Sequence, residues 1–177
     1  MARIQPINRN ATTGQLASTL DAVKAKLGTV PNLFATFAQS PAVLNAYLAF
    51  SEALTHGQLT AKQRETLALA IGQANACQYC VSAHTLLGKG AGLSADAIKD
   101  ARNGLSADPL NDAIAKLAVK IVHQRGVVSD AEIAEARAAG VTDDLIVEIV
   151  AHVALNTLTN YTNHIAATDI DFPVVQL

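Results

Sequence analysis

The sequence predicts an all-α protein with about eight or nine helices. Two observations lead to this fold class. Serine, threonine and aspartate residues that cap helices recur ahead of apolar stretches, and glycines close most of those stretches. No stretch of the chain is convincing as a β-strand. The sequence therefore indicates helices joined by compact turns.

In the first half of the chain, prolines and one capping motif place the helices. Pro31 and Pro41 divide the segment 30–57 into two pieces, because proline ends or starts a helix. Thr60 opens the next helix, and Gln63 three residues later completes a capping box. This helix is expected to run to "QANA", where Asn75 stands just before the first cysteine.

In the second half of the chain, each predicted helix starts at a capping residue. Three of these helices are expected to end at a glycine: Ser94 to Gly104, Asp108 with Pro109 to Gly126, and Ser129 to Gly140. A long final helix is expected to start at Thr142, with Asp143 and Asp144 at its positive end. The tail 171–177, "DFPVVQL", is apolar, and we expect it to be extended and docked on a neighbour. Residues 1–177 are expected to form one domain, since 177 residues suffice for one sizeable core.

The composition narrows the range of partners. Half of the residues are apolar and only 16% are charged, whereas soluble domains average about 25%. This balance predicts a homo-oligomer that buries apolar surface between copies. A net charge of −2, no basic run and 4% aromatic residues argue against a nucleic-acid partner.

A membrane partner and secretion are not indicated either. Pro41 and several polar residues interrupt the longest charge-free stretch, 27–51, so we interpret it as two helices rather than a membrane span. The segment "MARIQPINRN" lacks the apolar core of a signal peptide. We therefore expect a cytoplasmic protein in a reducing compartment, where paired cysteines are more often catalytic or metal-binding than structural.

The two cysteines of the chain, Cys77 and Cys80, stand in one Cys-x-x-Cys motif, and His84 follows four residues later. In a helix these spacings put all three side chains on one face, with Cβ atoms about 5–6 Å apart. A disulfide needs Cβ atoms about 3.5–4.5 Å apart. The pair can therefore close only if Cys77 lies in the first turn, where the positive end of the helix dipole also favours a thiolate.

Glu65 is the third candidate group, on the preceding apolar helix. It stands 12 residues before Cys77 and 19 before His84, which on one straight helix would separate it from His84 by about 28 Å. If the chain reverses at residues 74–75, the two helices lie antiparallel and Glu65 comes alongside His84. Glu65 could then hold or deprotonate His84, which would take the thiol proton of Cys80.

The pattern Glu65, Cys77-Gln78-Tyr79-Cys80 and His84 resembles the alkylhydroperoxidase D-like family, within the wider carboxymuconolactone decarboxylase-like superfamily. The resemblance is strongest over 59–92, the expected redox core, and the flanks "VPNLF", "SDAE" and "TNYTNHIAATDIDFP" are similar to those of peroxidase-related members. It implies an alkylhydroperoxidase D-like helical bundle that is trimeric or hexameric.

The resemblance also implies an activity and residue roles. It implies a thiol-dependent peroxidase or disulfide reductase without a bound organic cofactor, in which Cys80 attacks a hydroperoxide and Cys77 resolves the product. Glu65 and His84 would form the proton relay, and a dithiol protein or small thiol would reset the disulfide. Tyr79 stands where the best-studied members carry a second histidine, which points to a shorter relay, a weaker peroxidase or a different substrate.

Several other interpretations remain open at this stage. The cysteines could be buried core thiols, or Cys77, Cys80 and His84 could hold zinc, with Glu65 as fourth ligand. The chain could be a redox-sensing or scaffold oligomer without turnover, or a decarboxylase or lyase that tolerates loss of both thiols. A polar stripe on the last helix is expected to be a subunit contact or a solvated face, and it comprises Asn156, Asn160, Asn163 and His164.

Overall fold

The computed structural model describes residues 1–177 and contains nine α-helices and no strand, which confirms the predicted fold class. A short 3-10 turn, Arg9–Ala11, precedes the first α-helix. The helices are α1 Gly14–Leu27, α2 Asn32–Phe37, α3 Pro41–Leu54, α4 Ala61–Ala74, α5 Gln78–Gly90, α6 Ala95–Arg102, α7 Pro109–His123, α8 Asp130–Ala138 and α9 Asp143–Ala166.

The capping motifs of the sequence define the helix starts. Capping boxes are present at Thr60 and Ser129, and the side chains of Ser94 and Asp108 each accept a hydrogen bond from the third residue of their helix. These bonds satisfy backbone donors that a helix leaves unpaired at its start. The sequence analysis does not predict helix α1. In the structure its N-cap residue, Thr13, makes no side-chain cap bond.

Helix α4 lies at the centre of the fold and packs against α5, α6, α7 and α9. Seven consecutive residues, 66–72, are buried, so this part of α4 is buried around its whole circumference. Leu67 and Ile71 join the larger core cluster with apolar side chains of α7, α8 and α9.

A second core cluster brings the cysteines together with the N-terminal helices. In this cluster Cys77, the N-cap residue of α5, and Tyr79 and Cys80 of α5 pack with Leu20 of α1 and Leu44 of α3. The Cys-x-x-Cys motif thus lies where α5 meets α1, α2 and α3.

The tail after α9 docks on α5 of the same chain. The backbone N–H of Val175 donates to the Ser82 hydroxyl (3.0 Å), and the side chain of Gln78 donates to the Val175 carbonyl (3.3 Å). The tail is extended as the sequence predicts, and the neighbour that it covers is α5. No helix of the structure has the length and apolar character needed to cross a membrane.

Candidate redox site

The turn between α4 and α5 builds the site. Helix α4 ends at Ala74, and Ala76 adopts a left-handed backbone conformation with φ of 52°. The N–H of Cys77 then donates back to the carbonyl of Gly72 (2.8 Å). This is the reversal that the sequence required, and it sends α5 back along α4.

Two glycines allow the helices to approach closely beside the reactive residues. A Cβ atom on Gly72 would lie 3.4 Å from the Cβ atom of Cys80. A Cβ atom on Gly88 would lie 3.1 Å from Leu93 and 3.8 Å from the Cβ atom of Glu65. Glycine at these positions therefore brings the Glu65 side of α4 and the Cys80 side of α5 into contact.

Glu65 and His84 meet across this interface, as the fold-back prediction requires. The Oε2 atom of Glu65 lies 2.8 Å from Nδ1 of His84, and both side chains are only about one-fifth exposed, at 20% and 23%. A carboxylate accepts hydrogen bonds, so Nδ1 carries the proton and Nε2 is the nitrogen left for proton exchange in the neutral ring.

Cys77 occupies the N-cap position of α5, and Cys80 lies in the first turn. The sulfur of Cys77 accepts a hydrogen bond from the backbone N–H of Cys80 (3.3 Å). Both are free thiols and almost fully buried, with 1% and 3% of their surface exposed. Their place at the start of the helix satisfies the requirement that Cys77 lie where the backbone can adjust.

The surroundings of the two thiols drive their pKa values apart. A hydrogen bond from the Cys77 thiol lowers the pKa of Cys80 to about 6 against the opposing effect of burial, and His84, Asn163 and Asn160 lower it further. That hydrogen bond and burial raise the pKa of Cys77. These contacts favour the thiolate at Cys80 and the protonated thiol at Cys77.

The pKa of His84 changes in the complementary direction. Burial opposes protonation of the ring, but the charge of Glu65, its hydrogen bond and the Cys80 thiolate together raise the pKa of His84. A raised histidine pKa beside a lowered cysteine pKa favours a thiolate–imidazolium pair, with the carboxylate of Glu65 behind it.

Helix α9 supplies one more residue to the site, Asn163, which contacts both thiols and which the sequence interpretation missed. The side-chain amide of Asn163 donates to Cys80 Sγ at 3.3 Å and to Cys77 Sγ at 3.9 Å. The prediction that this stripe is a subunit contact or a solvated face is wrong for its asparagines, because all three are buried in their own chain. The spacing of four and three residues between these asparagines indicated that they share one face of α9, but it did not indicate which part of the protein covers that face.

Asn160 lies one turn earlier on α9 and is fully buried. Its Oδ1 atom accepts a hydrogen bond from the side chain of Asn75 (2.9 Å), whereas its Nδ2 atom is buried without a protein partner. Asn160 also contributes to the lowered pKa of Cys80. A buried donor without a protein acceptor is costly, and the negative sulfur of Cys80 offers it a favourable environment.

A cavity of about 290 Å³ opens onto Cys80 and His84. Its wall is predominantly aliphatic and aromatic, and includes Leu33, Phe34, Tyr47, Ala83 and Phe172. This volume and lining suit a small organic molecule with an apolar body. Tyr47 was also missed from the sequence: burial and the nearby charges of Cys80 and Glu65 raise the pKa of its phenol, so it stays neutral.

Tyr79, between the two cysteines, ties the tail to this cavity. Its hydroxyl donates to Asp171 Oδ1 (2.8 Å) and accepts from the backbone N–H of Leu33 (3.2 Å). The ring of Phe172 meets the Tyr79 ring edge to face, with centroids 5.5 Å apart. Tyr79 therefore packs in the wall of the cavity and holds the tail against it.

No group of three or more His, Cys, Asp and Glu side chains is arranged to hold a metal ion. Both cysteines, which a zinc site would need, are instead hydrogen-bonded within the protein.

Comparisons with known proteins agree with this architecture. The sequence model of the carboxymuconolactone decarboxylase family matches residues 41–114, which include Glu65, both cysteines and His84. The fold matches the alkylhydroperoxidase AhpD core of a peroxidase-related protein from Ralstonia eutropha JMP134, with a TM-score of 0.85 and 28% identity over 96% of this chain and 92% of that one. Residues 41–114 of the chain thus resemble the carboxymuconolactone decarboxylase family, and the fold is that of the AhpD core.

Other structures with this AhpD-like fold differ in what they are named for. A peroxidase-related protein from Silicibacter sp. TM1040 matches with a TM-score of 0.80 and 20% identity, over 94% of this chain and 92% of that one. The debrominase Bmp8, in complex with 2,3,4-tribromopyrrole, has the same TM-score at 16% identity, over 96% and 91%. No protein of curated function is significantly similar in sequence. Proteins that share this fold thus include peroxidase-related proteins and a debrominase.

Proposed function

We propose that this AhpD-like protein is a thiol-dependent peroxidase that reduces organic hydroperoxides through a Cys77–Cys80 disulfide cycle. The observation that carries the proposal is the position of Cys80, which faces an apolar cavity together with a histidine that Glu65 holds at 2.8 Å. The lowered pKa of Cys80 and the raised pKa of His84 supply a nucleophile and an acid in the same cavity.

The first step is attack of the Cys80 thiolate on the terminal oxygen of the hydroperoxide. The sulfur–oxygen bond forms as the O–O bond breaks, so the sulfur is oxidised to a sulfenic acid and the peroxide is reduced to an alkoxide. Protonated His84 gives its proton to the departing alkoxide, which leaves as the alcohol. Glu65 stabilises the protonated ring before this transfer.

The second step joins the two sulfurs. Cys77 attacks the sulfur of the Cys80 sulfenic acid, the S–O bond breaks, and hydroxide leaves as water with the proton of Cys77. Cys77 is suited to this role because its raised pKa keeps it protonated and unreactive until the sulfenic acid forms beside it. A dithiol then reduces the disulfide, and the cycle needs no bound organic cofactor. A reducing cytoplasm would supply such a dithiol.

The test measures consumption of cumene hydroperoxide with dithiothreitol as reductant, together with the mass of the intact protein. Parent protein should turn over and lose two hydrogens when peroxide is added without reductant. Cys80→Ser should abolish turnover, and Cys77→Ser should accumulate an oxidised Cys80. Equal rates in the parent and both variants would overturn the proposal.

The same experiment separates the competing functions. A reversible disulfide without turnover would indicate a redox sensor or scaffold. A lyase or decarboxylase would keep its activity in both cysteine variants and lose it with Glu65 or His84. Dehalogenation of 2,3,4-tribromopyrrole in place of hydroperoxide turnover would instead place this protein with the debrominase that it resembles in fold.

We also propose that the protein assembles with copies of itself through the outer face of α9. Between Glu148 and Asp169 the chain has no Asp, Glu, Lys or Arg. Exposed apolar residues recur along α9 every three or four positions, which is the spacing of a helix–helix seam. They are Val147, just before this segment, and Val150, Ala154, Leu158, Tyr161 and Ile165 within it.

Light scattering after size exclusion tests this α9 face. Leu158→Glu together with Tyr161→Glu should shift the parent oligomer, a trimer or hexamer by resemblance, to a smaller species. Val127→Glu is the control, since Val127 is 82% exposed in the turn between α7 and α8. An unchanged mass of the α9 variant would contradict the proposal.

A further inference from the structure

Cys77 and Cys80 line different cavities. Cys80 and His84 face the apolar cavity described above, whereas Cys77 faces a separate pocket of about 310 Å³ at the junction of α5, α9 and the tail. This second pocket is lined, besides Cys77, by Gln78, Asn163, His164, Thr168 and Ile170 among others. Tyr79 is the one residue of the motif that borders both.

We propose that this Cys77 pocket receives the thiol of the dithiol reductant, which attacks Cys77 from the side opposite the peroxide cavity. The inference rests on the disulfide cycle proposed above and adds where its second substrate binds. Both sulfurs are almost fully buried, so a reactant reaches either of them only through the cavity next to it.

The direction of the exchange follows from which sulfur leaves more easily. The attacking thiolate forms a bond to Cys77, the Cys77–Cys80 bond breaks, and the electron pair stays on the sulfur of Cys80. The second thiol of the reductant then attacks its own mixed disulfide, and Cys77 leaves with a proton. A sulfur with a lower thiol pKa leaves faster, and the contacts of Cys80 favour its thiolate, so attack at Cys77 is the faster course.

Two side chains of α9 complete the pocket chemically. The amide of Asn163 donates to Cys80 Sγ and so stabilises the sulfur that leaves. The Nε2 atom of His164 lies 2.9 Å from the carbonyl oxygen of Asn75. A carbonyl only accepts, so Nε2 carries the proton and the Nδ1 atom of the neutral ring is free to take the proton of the incoming thiol.

The decisive test maps which cysteine the reductant attacks. The parent protein is oxidised with diamide, so that no peroxide is needed, exposed to 2-mercaptoethanol and quenched with N-ethylmaleimide. Fragment-ion mass spectra should show mercaptoethanol on Cys77 and maleimide on Cys80. The reverse pattern, or an equal mixture, would overturn the proposal.

This design also separates the proposal from the function on which it rests. Mercaptoethanol on Cys77 without any hydroperoxide turnover would leave the Cys77 pocket supported and overturn only the peroxidase. Failure of diamide to form the disulfide would overturn both.

A second experiment measures the oxidation and reduction steps separately. Thr168→Trp places a large ring in the Cys77 pocket and should slow reduction by dithiothreitol more than oxidation by hydroperoxide. Leu87→Trp places one in the apolar cavity next to Cys80 and His84 and should slow oxidation more than reduction. His164→Gln should slow reduction about tenfold or more, as expected on loss of a proton acceptor. His56→Gln is its control, because that ring is 77% exposed and contacts only Glu52. If Leu87→Trp alone slows both steps, one cavity serves both substrates and the proposal fails.

Discussion

The α4–α5 hairpin and helix α9 both contact the same two thiols, but they contribute different chemistry. The hairpin provides groups that exchange protons or electrons: Glu65, both cysteines and His84. Helix α9 provides side-chain amides, which do not titrate: the amide of Asn163 donates to both sulfurs, and the Nδ2 atom of Asn160 is buried nearby without a protein acceptor.

The difference shows how one thiol of a pair can be selected. Cys77 and Cys80 stand in the same turn of α5, yet only Cys80 shares a cavity with His84, the partner of Glu65. Asn163 approaches Cys80 more closely than Cys77, at 3.3 Å against 3.9 Å. Titrating groups and fixed amides thus favour the same sulfur from two sides, and substitutions on each side should separate their contributions.

Loss of the carboxylate from the hairpin should have the largest effect. In Glu65→Gln the charge that raises the pKa of His84 is gone, so the ring becomes neutral and cannot protonate the departing alkoxide. We expect the rate constant for hydroperoxide reduction at pH 7 to fall by about 10²–10⁴-fold, the usual contribution of acid–base catalysis.

Stopped-flow measurement of single-turnover oxidation checks this expectation. Glu52→Gln is the matched control, because Glu52 lies on the surface of α3 in an exposed pair with Lys26. A Glu65→Gln rate within threefold of the parent rate would show that proton donation to the alkoxide does not depend on the Glu65–His84 pair.

Loss of the amide from α9 should have a smaller effect that depends on pH. Low pH protonates the Cys80 thiolate, so alkylation of the parent by iodoacetamide should rise through pH of about 6 and stay level above it. A hydrogen bond to a charged group contributes about 1.5–3 kcal/mol, and about 1.4 kcal/mol equals one pKa step. In Asn163→Leu the pKa of Cys80 should therefore rise by about 1–2.

The alkylation rate of Asn163→Leu at pH 6 should fall about tenfold and recover at pH 9. Asn10→Leu is the control, since Asn10 is exposed in the 3-10 turn. A rate that is equally low at every pH would indicate distorted packing instead of a lost hydrogen bond. It would contradict the role of the α9 amide in lowering the pKa of Cys80.

Tyr79→Phe should have the smallest effect on the chemistry, because Tyr79 acts on the cavity wall. The variant loses the bond to Asp171 and leaves the buried N–H of Leu33 without this acceptor, which costs about 1–3 kcal/mol of unfolding free energy. Amide hydrogen exchange should quicken in residues 168–177, and the KM for hydroperoxide should change by a few fold.

Tyr161→Phe is the control for this variant, because it removes the same hydroxyl from a tyrosine that is 55% exposed in the single chain, and it keeps the aromatic ring on the proposed α9 assembly face. Unchanged exchange in the tail of Tyr79→Phe would show that the tail is held without the tyrosine.

The hairpin half of the site could be predicted because its geometry depends on short sequence separations. Residues three and four apart in a helix share a face, which fixes Cys77, Cys80 and His84 relative to one another. Glu65 required one further condition, a reversal midway to His84, and the break after Ala74 satisfies it. Ala76 takes the left-handed conformation there, although an alanine gives no sign of it in the sequence.

The α9 half could not be predicted in the same way. The stripe of asparagines identified one face of α9, but a polar face is more often solvated than buried. Asn163 is 83 residues from Cys80 in the chain, so their contact depends on how α9 packs against α4 and α5.

The sequence by itself determined the all-α class, most of the helix starts and the residues of the hairpin, because caps and short spacings act locally. Only the tertiary structure decided that α9 turns its amides to the thiols, that Tyr79 holds the tail, and that each cysteine faces its own cavity. These features join segments far apart in the chain, and such contacts are set by the packing of whole helices.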